Sequence, residues 1–321
     1  MGLFTVFEAG LLKLRCHLVD SLGQPGGQLT EIYPKKPIYD IPGYPSVLAG
    51  ELVDNLLKQI EPFKPGFTLG ERAERLDNAG DKMFTITTNK GTQISAPVVA
   101  IAGGLGSFEP RKPPIDTIPQ FEDKGVDYII KDPSKYQNKR VVVAGGGDSA
   151  LDWSIILAEL ASEVSLVHRR TTFRGALDSV DKVMELAKEG KINLITNAQV
   201  IGLHGEDILQ EVIIEEDEKP PYSLATDYFI PLFGLAPKLG PIADWGLDIE
   251  DNALVVNTYD YATNVPGIYA IGDVNTYPGK LKLILCGFHE GTLMVQSAFK
   301  YIYPDQKLSF KYTTVAGVNA F

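Results

Sequence analysis

The segment KRVVVAGGGDSALDWSIILAEL, residues 139–160, limits the fold more than any other part of this 321-residue chain. Its three consecutive valines and an alanine make a β-branched, apolar strand of the kind buried in a parallel sheet. A glycine turn follows, then a stretch with an apolar stripe at helical spacing. The next segment, SEVSLVHRR, reads as a second strand. Strand, turn, helix and strand in that order form a β-α-β unit, and its turn carries G-x-G-x-x-A at Gly145, Gly147 and Ala150. The first glycine permits the tight turn, the second lets the backbone approach a pyrophosphate, and the small third residue lets helix and strand pack closely. The helix N-terminus then faces the phosphates. A glycine fingerprint alone is weak evidence, and a ligand-free glycine turn is the competing reading. The order of the flanking elements favours dinucleotide binding.

The opening, MGLFTVFEAGLLKLRCHLVDS, repeats the second half of that unit. Gly2 starts an apolar helix that should run to about Leu11, LRCHLVD is a short strand, and Asp20 stands 18 residues after Gly2. In the mid-chain unit Arg169 stands 19 residues after Ala150, so Gly2 takes the place of the third fingerprint residue. The strand and the first two glycines expected ahead of Gly2 are missing from the sequence. A misplaced start codon or a cropped sequence, rather than a natural truncation, is the expected reason. The expected cost is unpaired strand edges and a pyrophosphate site short of backbone donors.

The two second strands end differently. An acid such as Asp20 suits a free ribose 2′-hydroxyl, as in FAD or NAD. The cluster His168, Arg169, Arg170 and Arg174 in HRRTTFRG suits a 2′-phosphate, because guanidinium forks pair with phosphate oxygens. A solvated strand end is the competing reading of that cluster. Two further segments, APVVAIAGGLGSFEPRK and TNVPGIYAIGDV, each give a strand and a glycine turn, and the NADP-type unit lies between them. An α/β chain of two Rossmann-like dinucleotide-binding domains is therefore expected, one inserted in the other, with crossings near residues 110 and 235.

Composition removes other classes. With 41 acidic and 30 basic residues the net charge is −11, which argues against a general nucleic-acid or membrane-surface role. Cys16 and Cys286 are the only cysteines and form no CxxC pair, so neither a disulfide framework nor a zinc site is expected, and the cytoplasm is the simplest compartment. Glu8, Lys13 and Arg15 break the apolar start and argue against a secretory signal, Val6 stands where a myristoylation motif needs Ser or Thr, and no apolar run is long enough to span a membrane.

QPGGQLTEIYPKKPIYDIPGYP, GGGDSALDW, HRRTTFRG, VPGIYAIGDV and the GFHEG helix start, in this order and spacing, give the chain a resemblance along essentially its whole length. It resembles the thioredoxin-reductase-like class of ferredoxin–NADP⁺ reductases, two-dinucleotide-domain flavoproteins. The resemblance implies an FAD domain at 1–109 and 235–321 and an NADPH domain at 110–234. It also implies a homodimer and electron exchange with ferredoxin or flavodoxin. Carried over residue by residue, it places Gly2 and Asp20 on the adenosine side of FAD, and Gln28 and Tyr33 at the flavin, Tyr33 stacking on the ring. Ala73 and Phe108 fall in the FAD pocket, and Asp273 on the sugar-phosphate chain. Thr314, in a tail KYTTVAG, approaches the isoalloxazine, and Tyr312 is the candidate cover for its other face. An aromatic on each face buries a large flat ring while leaving its edge usable. Gly145, Gly147, Ala150, His168, Arg169, Arg170 and Arg174 would hold NADPH.

The related thioredoxin reductases carry a redox CxxC just before this fingerprint, and IIKDPSKYQNKRVVVAGGG has no cysteine there, so dithiol chemistry is not expected. No classical catalytic side chain is expected either, since hydride transfer is the cofactors' own chemistry. His289 has two readings, a residue tuning the flavin at a helix start or a hydrogen-bonded core histidine. An acidic ferredoxin needs a local cationic rim on this acidic chain, for which Lys35, Lys36, Arg111, Lys112, Lys280 and Lys282 are candidates. Competing functions are a general NADPH diaphorase acting on quinones or ferric chelates, and a nucleotide-binding or dimerisation module without flavin.

Overall fold

The structure is a computed structural model; it describes every residue except 81, 107–108, 237, 309–312 and 321, and no side chains at 79, 109, 235–236 and 315–316. The chain divides into two compact units, Met1–Phe108 together with Pro237–Phe321, and Glu109–Ala236. The entry and exit of the second unit lie side by side, because Glu109–Pro110 pairs antiparallel with Leu235–Ala236.

The first unit opens with helix α1, Gly2–Leu11. Leu3, Val6 and Ala9 are all buried on it, a spacing of three that sets them on one helical stripe. Leu3 and Val6 pack against Leu52, Val53, Leu56 and Ile60 of helix α2, Ala49–Ile60. Strand β1, His17–Asp20, runs parallel to β2, Gly66–Leu69, with His17 opposite Gly66 and Asp20 opposite Leu69. An antiparallel sheet of Ala73–Gly80, Met83–Thr88 and Gln93–Ala96 follows, then strand β3, Val99–Ile101.

The second unit contains β4, Arg140–Ala144, helix α3, Asp148–Leu157, and β5, Glu163–His168. Helix α4, Leu177–Lys188, leads to β6, Asn193–Thr196. An antiparallel sheet from Ala198 to Ala225 precedes β7, Tyr228–Pro231. The order is β6-β5-β4-β7 with every pair parallel. The valines read as a buried strand are buried: Val141, Val142 and Val143 are at most 2% exposed.

Back in the first unit, β8, Ile268–Ala270, pairs parallel with β3. The long helix α5, Ile284–Ile302, then closes the unit's core, burying Met294, Val295 and Ala298 against Leu254, Ile268 and Ile271. The β1–β2 and β3–β8 pairs are separate two-stranded parallel sheets, and among the described residues no strand joins them. No helix among the described residues is long and apolar enough to cross a membrane.

Candidate functional site

In the second unit the glycine turn sits at the C-terminal end of β4, where open parallel sheets hold ligands. A β-carbon at Gly145 would stand 2.7 Å from the Leu232 carbonyl oxygen and 2.8 Å from the Ala150 Cβ, so the close approach requires glycine there. Ala150 is fully buried, as the third fingerprint position should be. Gly147 differs: it caps α3, and a β-carbon on it would meet nothing within 4 Å. The space above the first amides of a ten-residue helix is therefore open, a cradle that fits a pyrophosphate. The acid in that first turn, Asp148, is turned aside, its Oδ1 accepting a 2.7 Å hydrogen bond from the Ala176 N–H.

Arg169, Arg170 and Arg174 are exposed at the end of β5, and the Arg174 N–H donates to the Gly146 carbonyl, which ties this loop to the glycine turn. His168 departs from the expected charge cluster. Its ring is half-buried, stacks on Phe173 with centroids 4.8 Å apart, and lies 3.1 Å from the Thr172 carbonyl through Nε2. Burial first, then the three neighbouring guanidiniums, hold its pKa below the ordinary histidine value despite the Thr172 hydrogen bond. His168 thus shapes the turn as a neutral ring, and the three arginines supply the positive charge.

In the first unit several candidates converge at the C-terminal ends of β1, β3 and β8. Asp20 ends β1 half-buried; desolvation raises its pKa although the Leu22 N–H donates to Oδ1 at 3.0 Å. A desolvated carboxylate that accepts from the Leu22 N–H keeps lone pairs for the two hydroxyls of a ribose. The carboxamide of Gln28 lies over the turn after β3, 3.8 Å from where a β-carbon on Gly104 would be. Tyr33 is half-buried, and its pKa is raised by burial and then by the charge of Asp273, which brings the loop after β1 to the turn after β8. That turn is a short 3₁₀ helix, Gly272–Val274. Met1 is half-buried and also near Asp273. A β-carbon on Gly2 would meet Ala102 and Leu18 at ordinary contact distance, so an alanine would fit at this position too. Ala73 starts its strand two residues beyond Glu71, whose N–H donates to the Asp20 carbonyl. These donors and acceptors fit an adenine dinucleotide lying across the strand ends.

The other candidates divide. Phe108 and Tyr312 lie outside the described residues. Thr314 is exposed on a one-turn helix, Thr313–Ala316, and beyond it Lys13 donates to the carbonyls of Asn319 and Ala320. Two expectations are corrected. His289 is exposed, so it is neither a core histidine nor at the helix start, which is Ile284. The buried stripe of α5 runs through Gly287, Glu290, Gly291 and Met294, which turns position 289 outward. Lys280 is no rim residue: its side chain is 7% exposed and ion-paired with Glu290, which is 0% exposed. Lys112 is ion-paired to Glu122 and sits over the Tyr128 ring. Lys35, Arg111 and Lys282 are exposed, and the Lys36 ammonium lies 5.7 Å from the centre of the Tyr33 ring.

Sequence reasoning missed Glu290. The signal was present in GFHEG, where an acid falls on the apolar stripe of a helix and so must be buried with partners.

Two units with parallel strands, one closing on a glycine cradle beside three arginines and the other ending in acids and a tyrosine, define a two-dinucleotide oxidoreductase. Residues 9–291 match the pyridine nucleotide-disulphide oxidoreductase family, and the chain belongs to it. It is 68% identical to an enzyme of Christiangramia forsetii named ferredoxin–NADP reductase 2, over all of this chain and 91% of that one. It is 66% identical to the ferredoxin–NADP reductase of Flavobacterium johnsoniae, again over all of this chain and 91% of that one. Among solved structures its fold is similar to the thioredoxin reductases of Lactococcus lactis and T. acidophilum. The TM-scores are 0.80 and 0.81 at 24% and 22% identity, covering 94% and 93% of this chain and 96% and 94% of theirs.

Proposed function

We propose that this chain is a ferredoxin–NADP⁺ reductase, with FAD held by the first unit, NADPH by the second, and ferredoxin or flavodoxin as the electron partner. The carrying observation is the contrast between its two strand ends: the desolvated Asp20 at the end of β1, and Arg169, Arg170 and Arg174 at the end of β5. One suits a free ribose and the other a 2′-phosphate. The names of relatives at 66% and 68% identity support the same reading.

When bound, FAD supplies the conversion of a two-electron hydride into single electrons for a one-electron carrier. The protein's own work is binding and orientation. Gly147 and the first amides of α3 receive a pyrophosphate, the arginines select the phosphorylated ribose, and Asp20 takes ribose hydroxyls. Asp273 holds the sugar-phosphate chain, while Gln28 and Tyr33 position the flavin, with Thr314 beside it. The exposed Lys35, Lys282 and Arg111, with Lys36 over the Tyr33 ring, offer cations to an acidic carrier. The enzyme works as a cytoplasmic homodimer.

A disulfide reductase is disfavoured on chemical grounds. Exchange needs an attacking thiolate and a resolving partner. Burial pushes the Cys16 thiol up to about 11, and Cys286 has no neighbouring cysteine in the sequence.

The test is the visible absorbance of the purified chain before and after anaerobic NADPH, followed by ferredoxin-dependent reduction of cytochrome c. A flavin band that bleaches, with turnover that requires ferredoxin, supports the reading. Turnover that is the same with a small quinone and no ferredoxin favours the diaphorase reading. A chain that stays colourless with added FAD while binding NADP⁺ favours the flavin-free module.

A further inference from the structure

The carboxylate of Glu290 is fully buried, yet it receives four donors from one short stretch of chain. The Gly272 N–H donates to Oε2 at 2.6 Å and the Asn275 side-chain amide at 3.0 Å. The Tyr277 hydroxyl donates to Oε1 at 2.9 Å, beside the Lys280 ammonium. All four residues come from the loop that follows β8, and Asp273 lies between the first two of them. The Asn275 amide donates as well to the Ala270 carbonyl at the end of β8, so the anchor reaches back into the sheet.

The local backbone explains why an anchor is needed. Gly272 has φ +77°, a left-handed conformation that begins the 3₁₀ turn, and its N–H is directed to the helix carboxylate while that of Ile271 still bonds the Ile101 carbonyl of β3. The two successive peptide planes that lead into Gly272 are thereby fixed, one by β3 and the other by the helix carboxylate. Glu290 itself cannot drift. It stands on the buried stripe of α5, where Gly291 lies so close to α1 that a β-carbon on it would meet the Thr5 hydroxyl at 2.5 Å.

We propose that Glu290, neutralised by Lys280, is a positioning residue for the FAD site: it fixes the Gly272–Val274 turn and so aims Asp273 at the sugar-phosphate chain. The proposal rests on the reading of the first unit as the FAD domain. A buried ion pair of this kind is weak evidence for stability, because desolvation offsets the attraction, and a role in fixing geometry accounts for it better. The acceptor of the Gly272 N–H is the essential part. The charge pair is the means of burying it.

The experiment compares three variants of the full chain, reading FAD affinity by flavin fluorescence and the unfolding midpoint of the apoprotein. Glu290→Gln alone sets an amide nitrogen against the Lys280 ammonium, and FAD affinity should fall by about tenfold or more. Glu290→Gln with Lys280→Met removes that conflict and leaves the glutamine oxygen to accept from Gly272 and Asn275. Its affinity should return to within about threefold of wild type. Glu290→Leu with Lys280→Met is equally neutral but offers no acceptor, and it should remain weakened about tenfold even where its unfolding midpoint matches that of the glutamine double variant. Should the single variant not fold, the two double variants decide the matter between them. Equal FAD affinity in the two double variants overturns the positioning role. A wild-type chain that binds no FAD overturns the reading of the first unit, and the proposal with it.

Discussion

The imidazole of His168 fills the space beside Gly146, so that a β-carbon on that glycine would stand 2.1 Å from His168 Cε1. The middle glycine of GGG, a variable position in the fingerprint, is therefore constrained by a side chain from the end of β5. Its own carbonyl accepts from Arg174, so displacing the ring also disturbs the loop that carries the arginines. Gly146→Ala should weaken NADP⁺ binding by about tenfold, since clashes of this kind force shifts of about 1–3 kcal/mol. Isothermal titration with NADP⁺ checks it, and unchanged affinity would show that the ring moves freely.

His168 also predicts a pH dependence. Burial and three arginines lower its pKa in the folded chain, whereas the unfolded chain keeps a value near 6.5. Between the two values the unfolded state binds more protons, so stability rises with pH there. The contribution is complete above about 6.5 and is lost as the pH falls through the folded value. Urea unfolding of wild type and His168→Gln at pH 7.5 and 5.5 should show the wild type losing more stability on acidification. A steeper loss in the variant would contradict the assignment.

The second unit was far more legible in the sequence than the first. Val141 to Ala144, the glycine turn and the stripe of α3 are contiguous, so one local stretch specifies the site, and periodicity reads local stretches well. The first unit's candidate site draws on Asp20, Gln28, Tyr33, Gly104 and Asp273, from three segments that follow β1, β3 and β8, and no single stretch spells it out. Asp20 was legible as an acid at a strand end and Gly104 as part of a glycine turn, but only the resemblance supplied Gln28, Tyr33 and Asp273. Charge was the least legible property. Lys280 and Lys282 are two residues apart in the sequence, yet the first is buried on Glu290 and the second is exposed. A lysine in a loop gives no sign of which it is until the acid on the neighbouring helix stripe is recognised.

Arg169, Arg170 and Arg174 should set the choice between the two nicotinamide cofactors. All three are exposed at the end of β5, free to face a ligand. A hydrogen bond to a charged group contributes about 1.5–3 kcal/mol. Replacing Arg169 or Arg170 by Ala should raise KM for NADPH by about tenfold or more and leave KM for NADH nearly unchanged. Steady-state kinetics with both cofactors provide the check, and an equal rise for both would mean that the arginines contact groups the two cofactors share.

Lysines on the two sides of the burial divide should respond differently to substitution. Lys35→Glu with Lys36→Glu changes charge at a loop beside Tyr33, where one lysine is exposed and the other lies over the ring. If an acidic carrier docks there, its KM should rise several-fold and the effect should shrink at high salt, because exposed charges act over roughly the 8–10 Å Debye length. Turnover with a small neutral quinone should be unaffected. Lys280→Met should do the reverse. Removing it leaves the Glu290 carboxylate buried without its counter-ion, an arrangement that costs about 3–5 kcal/mol. The unfolding midpoint should fall sharply, while the salt dependence of ferredoxin reduction by the remaining folded enzyme stays as in wild type. A Lys280→Met enzyme that is as stable as wild type but has lost its salt dependence would return Lys280 to the docking rim and refute its burial on Glu290.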